Sequence, residues 1–299
     1  VNTEEFIMLN RLAIEQELTT TLNNGVQMPM RGFGVFQITD ERQCHDAVIA
    51  ALNAGVRLID TAACYGNERA VGQAIKDSDL LRDEIFLVSK VWIQDTGYEN
   101  TLRSFQKTLK NLGTDYLDLY LIHMPYGDYH GSWRAMENLV NEGLVRAIGV
   151  CNFLPDRLLD LMLTHDITPA VNQIEMHPFC QQKRLRELMA DWDVRPMAWA
   201  PLAKGRNGIF ENATLRAAAS AHGVSVAQVI LRWLYQEGAV AIPKSVHPER
   251  IKENFDIEGF SLDKDDMDVI RCLDLWKPLI LDVPSLDEVK RLHDITFEQ

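Results

Sequence analysis

Three polar residues close apolar runs of the chain: Asp60 follows the run 56–59, Lys90 follows 85–89 and His123 follows 117–122. A fourth, Tyr65, lies on the loop after Asp60, in the stretch Leu58-Ile59-Asp60-Thr61-Ala62-Ala63-Cys64-Tyr65-Gly66-Asn67-Glu68. An acid at a strand end and a phenol on the following loop can face one cavity, and the chemistry they suggest is proton transfer. A buried carboxylate needs a cationic partner, and a phenol, which ordinarily titrates near pH ~10, needs a cation nearby to act as an acid near neutrality. Lys90 is a candidate for that cation. Taken singly, each residue has a structural explanation: Asp60 as a helix cap, Lys90 as a solvated strand end, His123 as a satisfied core imidazole. Their recurrence at the ends of successive apolar runs is what argues for a site.

The elements that would position them repeat in one rhythm. Apolar runs at 32–36, 56–59, 85–89, 117–122, 147–150, 170–174, 196–199 and 239–242 alternate with helical patterns at 41–54, 69–76, 100–112, 132–142, 156–163, 183–192, 214–222 with 226–236, and 249–255. Several helical patterns end at glycine (Gly55, Gly113, Gly143, Gly238), as a left-handed C-terminal cap requires. Strands alternating with helices imply a parallel sheet, and eight such units imply a closed (β/α)8 barrel, the TIM barrel of the α/β class. In that barrel the loops after the strands carry the site. The strand-end series continues with Cys151-Asn152, Gln173 with Glu175, Trp199, and Lys244-Ser245. Around Asn23-Asn24-Gly25, the segments 18–22 and 26–28 read as an N-terminal β-hairpin able to plug one end of the barrel. Residues 1–18 read as an appendage, leaving 19–299 as a single barrel domain. Beyond the eighth unit, 263–273 reads as an added helix, and 276–284 as an irregular run that folds over the barrel mouth or covers its side.

Composition bounds the function classes. With a formal net charge of −13 over 299 residues, most of the surface repels phosphates, so nucleic acid and anionic membranes are not expected partners. Five cysteines without a CxxC pair fit reduced thiols, and no run is long and apolar enough to span a bilayer. A cytoplasmic, monomeric protein is the expectation. The eight histidines are scattered without an HxxxH, so no metal site is expected. No GxGxxG follows the first run, which argues against a Rossmann nucleotide site.

The segments GFGVF, LIDTAACYGNE, VSKVW, YLDLYLIH, AIGVCNF, VNQIE, WAPL and AIPKSVHPERIKENF, in this order between about residues 22 and 273, resemble the aldo-keto reductases. The likeness is greatest to the branch that includes 2,5-diketogluconate reductases and prostaglandin F synthase. The resemblance implies NADPH-dependent reduction of a small-molecule carbonyl compound. Its catalytic residues would be Asp60, Tyr65, Lys90 and His123: Tyr65 as the acid, Lys90 as the cation beside it, Asp60 holding the lysine, and His123 orienting the carbonyl oxygen. It further implies that Asn152 and Gln173 bond the nicotinamide carboxamide beside Cys151. Trp199 would stack on the ring near Leu202. Lys244, Ser245, Val246 and Arg250 would surround the adenosine 2′-phosphate, with Glu253 and Asn254 near the adenine. Phe36, Trp92 and Met124 would form the substrate wall. Cys151 replaces the usual serine before Asn152, and a thiol is a poor donor and acceptor. A second reading shares the fold and the cofactor: an NADP(H)-binding sensor or regulatory subunit with little turnover.

Overall fold

The computed structural model describes residues 19–298, so the appendage expected at 1–18 lies outside the described residues. Two short antiparallel strands, β1 (Thr19–Thr21) and β2 (Gln27–Pro29), form the hairpin. Parallel strands follow: β3 (Phe33–Gly34), β4 (Leu58–Asp60), β5 (Phe86–Val91), β6 (Leu117–Ile122), β7 (Val145–Cys151), β8 (Val171–Glu175), β9 (Arg195–Trp199) and β10 (Val240–Ala241). Each pairs with the next in sequence. A parallel bridge of Arg31 to Ala241, with Gly34 N donating to Pro243 O at 3.1 Å, brings the first and last together in a nearly closed barrel. Every residue of β5 and β6 is buried, as in a sheet covered on both faces.

The helices are α1 (Glu41–Asn53), α2 (Glu68–Asp77), α3 (Tyr98–Leu112), α4 (Tyr129–Asn141), α5 (Pro155–Thr164), α6 (Lys183–Asp191), α7 (Ala213–His222), α8 (Val226–Gln236), α9 (Pro248–Phe255), α10 (Lys264–Arg271) and α11 (Leu286–His293). Local chemistry marks their ends. Asp40 caps α1 by accepting from Gln43 N at 2.7 Å, Ser225 and Gln228 form a capping box on α8, and Gly113 closes α3 at φ 65°.

Two apolar layers result. One lies between the strands and the ring of helices, with Trp133 and Trp233 fully buried. The other fills the barrel interior, where Leu22, Met28 and Met30 join Leu58, Val88, Leu121 and Val171. The hairpin thus plugs the barrel, held by Asn23 Nδ2 on Pro169 O (3.0 Å) and Asn24 Nδ2 on Arg146 O (2.9 Å), at the starts of β8 and β7. With that end sealed, the opposite strand ends are left for a site.

The C-terminal segment folds over that opposite end, which settles the alternative left open by the sequence. Trp92 Nε1 donates to Ile295 O (2.9 Å) and Tyr126 Oη to Val283 O (2.5 Å). Leu292 and Leu281 pack with Trp92, Ile93 and Met124. Helix α11, which the sequence reading left unassigned, belongs to this cover.

Candidate active site

Lys90 organises the site. It is fully buried in β5, and its three ammonium protons have three acceptors: Asp60 Oδ1 at 2.7 Å, Thr61 O at 2.9 Å and Tyr65 Oη at 3.4 Å. Asp60 ends β4, and its second oxygen accepts from Gln173 Nε2 of β8 at 2.7 Å. The loop between Asp60 and α2 is held by Asn67, which accepts from Thr61 Oγ1 and donates to Val35 O and Ile38 O. The same bonds fix the loop bearing Phe36, whose ring lies 4.8 Å from that of Tyr65.

Electrostatics separate the two proton-bearing groups. Burial, and next the Asp60 carboxylate, raise the Tyr65 phenol well above its ordinary value. A cation alone would pull the phenol's proton off more readily; in the folded site Asp60 balances Lys90, so Tyr65 holds its proton firmly until charge develops. Burial, and next the Lys90 ammonium, push His123 well below the ordinary imidazole value, so it is neutral. His123 Nδ1 lies 3.4 Å from Cys64 Sγ. Burial pushes the Cys64 thiol up to about 12, so the thiol keeps its proton and is able to donate a hydrogen bond to Nδ1. In the tautomer that accepts from the thiol the imidazole proton sits on Nε2, which no group among the described residues engages.

These groups open into a cavity of about 760 Å³. Phe36, Trp92 and Met124 form one wall, closed by Ile280, Leu281, Leu292 and Ile295 of the C-terminal segment. Asn152 and Gln173 line the cavity beside His123 and Asp60, and Trp199, Leu202 and Lys244 line it as well. Asn152 adopts φ 62°, and its carboxamide donates to His123 O (3.1 Å) and accepts from Trp199 Nε1 (2.9 Å). Trp199 is thereby tied edge-on, with its ring at the cavity wall.

The remaining sequence candidates do not line this cavity. Cys151 is fully buried in the barrel interior. Ser245 is buried, and Val246, Glu253 and Asn254 are half-buried, while Arg250 is exposed at the start of α9. All but Cys151 continue from the Lys244 rim. Lys204, Arg206, Glu288 and Arg291 line the cavity and were not singled out from the sequence. The first two had a signal, because Lys204-Gly205-Arg206-Asn207-Gly208 sets two cations around a glycine just past a strand end, and Lys204 and both glycines take positive φ. The α11 pair, Glu288 with Arg291, had none.

Comparison with known proteins bears on the family and the fold. The model of the aldo/keto reductase family matches residues 32–274. Glyoxal reductase of Bacillus subtilis (strain 168) is 48% identical over 256 residues, covering 85% of this chain and 92% of that protein. The crystal structure of an aldo/keto reductase from Brucella melitensis superposes with a TM-score of 0.83 at 47% identity, covering 86% of this chain and 99% of the other. A Bombyx mori aldo-keto reductase in complex with NADP gives 0.85 at 31% identity, covering 91% and 96%.

The lowered His123 value has a consequence for stability. Below pH ~6.5 the unfolded imidazole binds a proton that the folded one refuses, so stability present above that pH is lost as pH falls toward the folded value, by up to about 1.4 kcal/mol per pH unit. Urea unfolding at pH 7 and pH 5 should therefore show a larger loss for the unaltered protein than for His123→Asn, by about 1–2 kcal/mol; equal losses would contradict the assignment.

Proposed function

The chain belongs to the aldo/keto reductase family, and from that premise we propose that Asp60, Lys90, Tyr65 and His123 are the groups through which it reduces an aldehyde or ketone carbonyl to an alcohol. It is an NADP-dependent oxidoreductase. The observation that carries the assignment of groups is the position of Lys90 Nζ, bonded to Asp60 and 3.4 Å from Tyr65 Oη at the floor of the cavity.

The residues present suit NADPH. The cavity runs from Tyr65 to Lys244. Lys244 at its rim and Arg250 beyond are exposed and have no acidic partner among the described residues, although acids outnumber bases in the chain, 43 to 30. Two uncommitted cations flanking the N-terminus of α9 favour a dianion such as the 2′-phosphate. Lys204, whose ammonium lies 5.0 Å from the Phe36 ring centroid, and Arg206, bonded to Leu279 O, add positive charge to the cavity itself. Bound NADPH supplies the hydride.

The chain's own side chains do the rest. His123, in the tautomer with its proton on Nε2, donates a hydrogen bond to the carbonyl oxygen and keeps that proton, which orients the substrate and stabilises the charge developing there. Tyr65 delivers its proton to that oxygen; the raised value keeps the acid form available through the working pH range. As the phenol loses its proton, the Lys90 ammonium meets a new anion at hydrogen-bond distance, in surroundings that water does not screen. Asp60 and Gln173 hold the ammonium on that line. The apolar wall of Phe36, Trp92 and Met124 with the C-terminal cover suits small aldehydes and dicarbonyls, in keeping with a relative named glyoxal reductase. All these groups come from one chain, so we take the working unit to be a monomer, and its free thiols suit the reducing cytoplasm.

Tyr65→Phe is expected to lower kcat by about 10²–10⁴-fold while the NADPH dissociation constant, read from fluorescence quenching, changes little; turnover near the unaltered rate would remove Tyr65 from its role. Arg250→Ala should weaken NADPH binding by about tenfold, the order of a lost charge-assisted contact, and leave NADH binding unchanged. Equal dissociation constants for the two cofactors in the unaltered protein would overturn the placement of the 2′-phosphate.

A further inference from the structure

We propose that Glu175 is a positioning residue that sets substrate selectivity by fixing the C-terminal segment 279–281 against the substrate end of the cavity; this rests on the reading of that cavity given above. Glu175 ends β8, two residues beyond Gln173, and so projects from the same side of the strand. Gln173 serves Asp60, whereas Glu175 takes no part in the proton-transfer groups. It is buried, with 2% of its surface exposed.

Its carboxylate is met by three successive backbone amides from more than 100 residues further along the chain. Leu279 N donates to Oε1 at 2.7 Å, Ile280 N to both oxygens at 3.1 and 3.2 Å, and Leu281 N to Oε2 at 3.1 Å. Consecutive amides converging on one anion form a nest, and each bond is strengthened by the charge. The other neighbour bonded to the carboxylate is His177, whose Nε2 lies 3.1 Å from Oε1. No lysine or arginine lies within ion-pair distance of Glu175 among the described residues, and the Lys204 ammonium acts on it only from further away. The segment's amides are therefore the main compensation for a buried charge, and releasing them would leave that charge poorly solvated.

What the carboxylate fixes is part of the substrate wall. Ile280 and Leu281 line the cavity, Leu281 packs with Trp92 and Met124, and Arg206 Nη1 secures the same segment at Leu279 O (3.0 Å). A substrate large enough to touch residues 280 and 281 depends on Glu175 for its fit. A small dicarbonyl held between Tyr65 and His123 does not.

Glu175→Gln tests this, because the amide keeps the shape, removes the charge and turns an N–H₂ toward the nest. Hydrogen exchange of the amides of 279–281, measured without cofactor or substrate, should accelerate by about tenfold or more, the order expected for weakened charge-assisted bonds. With NADPH, kcat/KM for 4-nitrobenzaldehyde should fall by about tenfold and for methylglyoxal by less than about threefold, with the NADPH dissociation constant within about twofold. In a Leu281→Ala background, Glu175→Gln should add less than about twofold to the loss with the aromatic aldehyde, because both act through one segment. Unchanged exchange, equal losses for both aldehydes, or additive effects of the two substitutions would each overturn the proposal. If the glutamine variant does not fold, Glu175→Asp, which keeps the charge and shortens its reach, carries the same comparison. If the unaltered protein reduces neither aldehyde, the reductase assignment fails, and the exchange measurement still decides whether Glu175 holds the segment.

Discussion

A fully buried ammonium is the constraint from which the site follows. Taking the Lys90 charge out of water is costly, and removing one member of such a buried pair typically costs about 3–5 kcal/mol, so Asp60 is obligatory once Lys90 is present. Asp60 in turn has a second oxygen to satisfy, which recruits Gln173, and Lys90 has further protons, which recruit Thr61 O and Tyr65. One charge thus couples β4, β5, β8 and the loop after β4. The barrel makes this possible by placing parallel strand ends side by side, with the plugged end behind them.

The same burial that makes the pair necessary tunes its neighbours in opposite directions. Tyr65 holds its proton above the ordinary range, and His123 refuses one below it. A firm acid and a neutral donor are what carbonyl reduction requires on the oxygen side: one group to protonate, the other to orient without competing for the proton. The C-terminal cover then governs what reaches them, and its attachment at Glu175, Arg206, Trp92 and Tyr126 ties the substrate wall to the strand ends and to the loop after β9.

Much of this was legible along the chain, because it rests on short-range signals. Each barrel strand coincides with an apolar run, and the glycines at 55, 113, 143 and 238 take the positive φ their positions implied. Asp60, Lys90 and His123 stood out because a polar residue ending a buried strand has few ordinary reasons to be there. What stayed hidden depends on partners distant in sequence. Glu175 looked like one more strand-end residue, since its amides come from 279–281. The Cys64 contact to His123 links separate loops. Helix α11 has an amphipathic pattern, but only Trp92, Met124 and Tyr126 define the surface it covers. Composition alone left the 276–284 run open between two placements, because its apolar residues divide: Trp276 is 71% exposed while Ile280 and Leu281 turn into the cavity.

The central claim is that the Lys90 ammonium stabilises the Tyr65 anion as it forms, and single-turnover hydride transfer in Lys90→Met tests it most directly. With NADPH and an aldehyde at saturation, the rate constant should fall by about 10²–10⁴-fold while bound NADPH is retained. A rate constant within about threefold of the unaltered protein, with NADPH still bound, would contradict the account.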